Sequence, residues 1–282
     1  MNNIIVGKNG FIAKKLLQKG NYYTTSSSNI NGLDCLYLDL RESAKFDYSI
    51  LNENTKIILL AAVSSPDECN NKYEEAYKIN VIGTKYFIQK ALKRRAKVLF
   101  FSSDVVYGNT LDAVDENAQT KPFGNYAQMK NEVEQAFKGE KNFKVFRLSY
   151  VLSKEDKYLS YLKYCIDKNE IAEVFHPFNR KIIYIEDVIQ AIENILEQWE
   201  NFDNQEFNIC GNESISRKEI ADFYNEAIIG NSLKYKILQP DEKFWEARPK
   251  DINITSLYLE KLLGRKPIKI KDAINQIAQG RK

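Results

Sequence analysis

Residues 3–20 read NIIVGKNGFIAKKLLQKG, and the reading of the fold starts here. The run Asn3-Ile4-Ile5-Val6 is short, apolar and β-branched, the pattern of a strand buried on both faces. Gly7-Lys8-Asn9-Gly10 punctuates it, and Phe11-Ile12-Ala13-Lys14-Lys15-Leu16-Leu17 has helical spacing. Strand, glycine turn and helix form the context a dinucleotide-binding loop requires. Gly7 permits a tight turn, Gly10 lets the backbone approach a pyrophosphate at the helix N-terminus, and Ala13 is small enough for close packing of helix on strand. The spacing is G-x-x-G-x-x-A rather than G-x-G-x-x-G, and the same turn could join strand to helix without holding a ligand. Working outward, strand-like runs lie near Ile4, Tyr22, Leu36, Ile57, Val98 and Phe143, with helix-like runs between most of them, around 11–19, 73–93 and 126–137. This alternation predicts an α/β chain with a Rossmann-type, doubly wound parallel sheet. After Val151 the pattern is less regular. The expected division is a dinucleotide-binding domain at 1–151 and a smaller substrate-binding domain at 152–282, with about 182–199 packing back on the first. The polar, turn-rich segment 111–123 is the expected flexible loop.

Tyr126 and Lys130 in NYAQMKNEVEQ lie one helical turn apart and share a face. The ammonium is expected to favour phenolate and lower the tyrosine pKa. Such a tyrosine can pass a proton to or from an alcohol or carbonyl oxygen. Ser103, at a strand end in FFSSDVVYG, can hydrogen-bond the same oxygen.

At 282 residues the chain can bury an ample core. The net charge of +3 is small and scattered. KALKRRAK, residues 90–97, is the one dense basic run and reads as a helix C-terminus, so no nucleic acid is expected as a partner. Cys35, Cys69, Cys165 and Cys210 lack metal or redox spacing, so no metal site is expected and the thiols read as reduced in a cytoplasmic protein. No signal peptide and no membrane span are expected.

Several further motifs share the order and character of one family. They are Leu60-Ala61-Ala62, Ile79-Asn80-Val81-Ile82-Gly83-Thr84, Ser102-Ser103-Asp104-Val105-Val106-Tyr107-Gly108, and Arg180-Lys181-Ile182-Ile183-Tyr184-Ile185-Glu186-Asp187-Val188. Phe207-Asn208-Ile209 running to Ile220 follows, then Arg248-Pro249-Lys250-Asp251 and Leu262-Leu263-Gly264-Arg265-Lys266-Pro267. With the glycine turn and Tyr126–Lys130, the chain resembles the extended short-chain dehydrogenase/reductase (epimerase/dehydratase) family along nearly its whole length. The resemblance implies an NAD(P)-dependent enzyme acting on a nucleotide sugar, with Ser103, Tyr126 and Lys130 catalytic. It places Gly7, Lys8, Asn9, Gly10, Phe11, Ile12, Ser26, Ser27, Asp39, Leu40, Ala61, Ala62, Asn80, Ser102, Tyr126 and Lys130 around the cofactor, with Asn80 able to serve the sheet instead. It places Ser64, Ser103, Asp104, Tyr150, Arg180 and Arg248 around the substrate, Arg248 at its diphosphate. It further implies a homodimer through a helix pair that includes the Tyr126 helix. His176, the one histidine, reads as a turn residue, although it could be a base for C3/C5 epimerisation. Trp245 could stack on a base or simply pack.

Cofactor choice is written after the second strand, where an acid usually holds the adenosine ribose of NAD. Residues 22–29 carry hydroxyls and no carboxylate, and Lys8 and Arg41 are candidate counter-charges for a 2′-phosphate. NADP(H) is therefore favoured over NAD(H), although Thr25 or Ser26 could bond an NAD ribose. Family dehydratases follow their catalytic threonine with Asp-Glu, whereas this chain has Ser103-Asp104-Val105. Family 4-epimerases carry R-x-x-N-V-x-G-P, whereas Arg147-Leu148-Ser149-Tyr150-Val151-Leu152 resembles the R-T-S-W-V-Y run of the dTDP-4-dehydrorhamnose reductase branch. The Arg180 and Arg248 motifs resemble the general epimerase pattern. The reading is a reductase of a nucleotide-activated 4-keto sugar in deoxysugar or surface-glycan precursor biosynthesis. The alternatives are a 4-epimerase with bound NAD(P) and a non-catalytic dinucleotide binder.

Overall fold

In the computed structural model, which describes residues 3–28, 34–228, 230, 232–246 and 248–280, the opening run is an interior strand of a seven-stranded sheet. Its strands, numbered in chain order, are Asn3–Val6 (β1), Tyr23–Ser26 (β2), Cys35–Tyr37 (β3), Lys56–Leu59 (β4), Lys97–Ser103 (β5), Phe143–Leu148 (β6) and Glu206–Ile209 (β7). The order across the sheet is β7-β6-β5-β4-β1-β2-β3, and every pairing is parallel. Connections leave β1 in both directions, so the C-terminal ends of β1 and β4 border the crevice where such sheets bind ligands. All six strand-like runs seen in the sequence are strands of this sheet.

Side chains alternate across each strand and both faces are covered. Ile5, Ile58, Leu99, Phe101 and Phe146 point into one core, shared with Ile12 and Leu16 of the helix Phe11–Leu17 (α1). Ile4, Val6, Ile57, Leu59, Val98, Phe100 and Val145 point into the other, shared with Phe87 and Ile88 of the helix Thr84–Lys93 (α2) and Val133 of the helix Asn125–Ala136 (α3). The 73–93 run is a helix, Tyr73–Tyr77, a wider π-type turn, Lys78–Gly83, and then α2. Gly83 in this turn has a physical reason: a β-carbon there would land on the carbonyl oxygen of Leu40. Ser43 Oγ donates to the Gly83 and Leu40 carbonyls, fixing that close approach. Lys90 and Lys93 occupy the last turn of α2, where the basic run suits the helix C-terminus.

The second half of the chain shares the first core. Val188, Ile189 and Ile192 of the helix Ile185–Glu197 (α4) pack with Ile5, Ile12 and Leu16, and Lys15 and Lys19 pair with Glu186 at 2.6 and 3.0 Å. Strands Tyr150–Leu152, Asn179–Tyr184 and Ser214–Ser216 form a small sheet beside the cleft. The segment 111–123, expected as a loop, is partly ordered by pairing. Thr110–Val114 is a strand paired with Ile252–Ile254, and the Glu116 carboxylate accepts from the Asn208 N–H, the Ser256 hydroxyl and the Leu257 N–H. Turn-rich composition gave no sign of this long-range partner. Among the described residues no helix is long and apolar enough to cross a membrane, and Cys69, Cys165 and Cys210 are free thiols.

Candidate active site

The turn after β1 opens onto a cleft of about 1120 Å³. Gly7 takes φ +99°, and a β-carbon there would sit 2.9 Å from Ala61 atoms, so only glycine fits between the ends of β1 and β4. At Gly10 a β-carbon would meet only the Gly7 carbonyl, at 3.9 Å, so the backbone is bare towards the cleft. Gly10 caps α1 without a side-chain hydrogen bond. The cleft is lined by every residue the sequence places at the cofactor except Asn80: the loop 7–12, then Ser26, Ser27, Asp39, Leu40, Ala61, Ala62, Ser102, Tyr126 and Lys130. Asn29, at the end of the hydroxyl-rich segment, lies outside the described residues. Asn80 is buried and spent on the loop after β4: its amide accepts from the Val63 N–H at 2.8 Å and donates to the Val63 carbonyl at 2.9 Å. Beyond β3 Asp39 faces the cleft with its charge already answered, because Arg41 donates to it through Nε and Nη2, at 3.0 and 2.6 Å. This hydrogen bond to Arg41, joined by its charge, holds the Asp39 carboxyl below the ordinary range against partial burial. Arg41 and Lys8 both line the cleft, Lys8 Nζ resting 3.2 Å from Cys35 Sγ.

At the other end β5 delivers Ser103 and α3 delivers Tyr126 and Lys130 to one wall. Lys130, 4% exposed, donates to the Phe101 carbonyl at 2.7 Å, and its Nζ lies 5.8 Å from the centre of the Tyr126 ring. The expected lowering of the tyrosine is reversed. Burial pushes the Tyr126 phenol well above its ordinary range, and the nearby Cys69 and Asp104 act in the same direction. Burial also pulls the Lys130 ammonium down to about 8, opposed by Glu134 and Cys69. Desolvation disfavours every charged form, and at this depth it outweighs the attraction between the two groups. Burial thus favours the phenol over the phenolate at Tyr126, and its hydroxyl has no hydrogen-bond partner among the described residues. Ser103 Oγ donates to Asp104 at 3.1 Å. Asp104 is buried behind it, and that burial raises its carboxyl against the pull of Arg180 and the Ser103 bond. Ser102 Oγ is buried in the cleft wall without a protein partner.

Of the remaining substrate-side expectations, Ser64 and Tyr150 line the cleft, with the Tyr150 hydroxyl donating to Asp156 at 2.6 Å. Asp104, Arg180 and Arg248 are not among the lining residues. Arg180 spends its guanidinium on the carbonyls of Asn179, Lys250 and Pro249. Arg248 pairs with Asp67 at 2.8 Å and donates to the Phe244 carbonyl. His176 stands outside the cleft lining, its backbone N–H donating to the Leu238 carbonyl, and Trp245 packs on Phe244 and Phe178. Sequence reasoning missed Ser149, Lys157, Tyr158 and Arg217, which line the far bank of the cleft. Arg217 sits inside the run from Phe207 to Ile220, where only its neighbours Ser216 and Glu219 carried a signal.

The sequence model of the family described as RmlD substrate binding domain matches residues 1–279. Over 148 residues the chain is 27% identical to N-acetyl-alpha-D-glucosaminyl-diphospho-ditrans,octacis-undecaprenol 4-epimerase of Escherichia coli O157:H7, a match covering 49% of this chain. That match spans 43% of the relative, so less than half of that curated protein is represented here. Among solved structures, a variant UDP-glucuronic acid 4-epimerase from Bacillus cereus, in complex with UDP-4-deoxy-4-fluoro-glucuronic acid and NAD, is similar with a TM-score of 0.81 at 18% identity, covering 99% of this chain and 98% of that one. A dTDP-4-dehydrorhamnose reductase from Clostridium acetobutylicum ATCC 824 is similar with a TM-score of 0.80 at 17% identity, covering 99% of each chain. At these identities the likeness is one of fold, the Rossmann-type fold that the alternating pattern predicts.

Proposed function

The chain belongs to the RmlD substrate binding domain family, enzymes of the short-chain dehydrogenase/reductase type, and we propose that it is an NADP(H)-dependent reductase of a nucleotide-activated 4-keto sugar. The observation that carries this reading is the Tyr126 hydroxyl, without a hydrogen-bond partner among the described residues and in the same cleft as Ser103 and Lys130. A neutral phenol suits a proton donor, which the reductive direction requires. The cleft suits a nicotinamide dinucleotide: the backbone at Gly10 is bare, Ser102 Oγ is a buried polar atom without a partner among the described residues, and Lys8 and Arg41 line it as candidate cations for a 2′-phosphate.

When bound, the reduced dinucleotide supplies hydride. The protein residues do the rest. Tyr126 gives its proton to the oxygen that becomes the alcohol. Ser103 donates a hydrogen bond to the same oxygen, once its hydroxyl turns from Asp104. Lys130 binds ribose hydroxyls and, as an ammonium, stabilises the phenolate left on Tyr126. Proton transfer and oxyanion support of this kind each contribute roughly 10²-fold or more to rate. In this reading residues 1–151 hold the dinucleotide and 152–282 the sugar, and the protein is a homodimer.

A second reading is favoured by the names of similar proteins, two of which are 4-epimerases. An epimerase would retain its oxidised cofactor and need no net reductant. The test is to mix the protein with NADPH and a panel of nucleotide-linked 4-keto sugars and follow the loss of reduced-nicotinamide absorbance. Rapid oxidation with one of them is the expected result. Interconversion of simple nucleotide sugars without reductant, and no NADPH oxidation, would overturn the reductase in favour of the epimerase.

A further inference from the structure

Three arginines gather around an aromatic cluster contributed by the second half of the chain. Phe178 packs edge-on against Phe244 and Trp245, with ring centres 5.4 and 5.6 Å apart. The guanidinium carbons of Arg180 and Arg217 lie 4.4 and 4.8 Å from the Phe178 ring centre, and that of Arg248 lies 4.5 Å from the Phe244 centre. The charges sense one another. Burial pulls Arg180 below its ordinary range, and Arg217 and Arg248 pull the same way, against Asp104 and Asp251.

Two of the three are answered by the protein. Arg180 is occupied by backbone carbonyls and Arg248 by Asp67 and the Phe244 carbonyl. Among the described residues the Arg217 guanidinium has neither an ion pair nor a hydrogen bond. It is held by ring faces alone, 5.1 Å from the Tyr158 centre and 5.8 Å from that of Phe175. Its backbone is fixed, because Ser216 and Glu219 form a capping box at the start of the helix Arg217–Ala227, and its carbonyl accepts from the Tyr158 hydroxyl at 3.0 Å. Arg217 also lines the cleft that contains Ser103 and Tyr126, which Arg180 and Arg248 do not. A planar fork of donors, stacked on rings and open to a cleft, is suited to phosphate oxygens.

Building on the nucleotide-sugar reading above, we infer that Arg217 binds a phosphate oxygen of the substrate's diphosphate, from the part of the cleft lined by the second half of the chain. This adds to the motif arginines a contact that their own residues, tied to carbonyls and to Asp67, do not make. The rings beneath the guanidinium hold the fork in place before the substrate arrives.

The test is calorimetric titration of the full chain and of Arg217→Gln with UDP, dTDP, the uncharged nucleosides uridine and thymidine, and NADPH. For the nucleoside diphosphate that binds the unaltered chain, Arg217→Gln is expected to weaken binding about tenfold to a hundredfold, as loss of a hydrogen bond between charged groups does. Arg217→Lys, which keeps the charge and loses the fork, should fall between. NADPH affinity should stay within about twofold in both variants, which also reports an intact fold. Unchanged nucleoside diphosphate binding in Arg217→Gln overturns the inference and leaves the nucleotide-sugar reading standing. Equal weakening of NADPH overturns it too, by making Arg217 a fold residue. An unaltered chain that binds no nucleoside diphosphate overturns the underlying reading itself.

Discussion

Arg147 donates through Nε and Nη2 to a single carboxylate oxygen of Glu134, at 3.0 and 2.7 Å, with the two side chains only 4% and 1% exposed. The pair joins β6 to α3 behind the candidate active site. Arg147 also donates to the Tyr107 hydroxyl at 2.7 Å, which donates to Asn208 on β7 at 2.9 Å. Glu134 lies one turn beyond Lys130 on α3, and its charge props up the Lys130 ammonium against burial. Replacing Glu134 by Gln leaves a buried guanidinium without a counter-charge, and breaking such a pair costs about 3–5 kcal/mol. Urea unfolding should show that loss, and the pH–rate profile should shift to lower pH as Lys130 loses its support. A loss under about 1 kcal/mol would mean the pair is solvated rather than buried.

Tyr126→Phe separates chemistry from binding. Among the described residues the hydroxyl has no hydrogen-bond partner, so its removal takes away the proton donor and little else. Turnover with the accepted 4-keto sugar should fall about 10²- to 10⁴-fold while NADPH affinity and the unfolding midpoint stay as in the unaltered chain. Persistence of turnover in this variant would eliminate Tyr126 as the proton donor.

Cofactor preference turns on Arg41. Its guanidinium is half exposed and shared with Asp39, with Lys8 on the same cleft lining. If these cations hold a 2′-phosphate, Arg41→Ala should weaken NADPH about tenfold and leave NADH nearly unchanged. Titration of both dinucleotides decides: an equal effect on the two would show that Arg41 serves Asp39 and the turn after β3 rather than the phosphate.

How much of this was legible depended on whether the information was local. The strand, glycine turn and helix at 3–17 could be read because Gly7 and Gly10 answer to backbone geometry within a few residues. Tyr126 and Lys130 could be placed on one face because helical spacing alone puts them there. What failed was set by distance or depth. The phenol's direction of shift depended on how deeply α3 is buried, which no spacing shows. Arg180 and Arg248 carried the motif but spend their donors on carbonyls 69–70 residues away and on an aspartate 181 residues away. Arg217, the cleft-facing arginine, had only its neighbours Ser216 and Glu219 to announce it, and they announce a helix cap. The strand at 110–114 needed a partner at 252–254, so its polar composition read as a loop.

The depth of Lys130 has a consequence for stability. Its ammonium is pulled to about 8 in the folded protein and lies near 10.4 in an unfolded chain. Below pH 8 both states hold the proton, and the folded state bears the strain of a buried charge. Between pH 8 and about 10 the unfolded chain still binds a proton that the folded protein has released, so stability rises with pH there. Lys144, also pulled down by burial, adds to the same slope. Near pH 10 and above the sign reverses, because burial raises Tyr126 and the folded protein keeps a phenol proton that the unfolded chain has lost. Urea unfolding without added cofactor should therefore show the unaltered chain gaining on the order of 2–3 kcal/mol between pH 7.5 and 9.5. Lys130→Met should gain much less, leaving only the Lys144 share. Parallel pH profiles for the two proteins would mean that Lys130 keeps its ordinary affinity for the proton, and that the ammonium reaches water through the cleft.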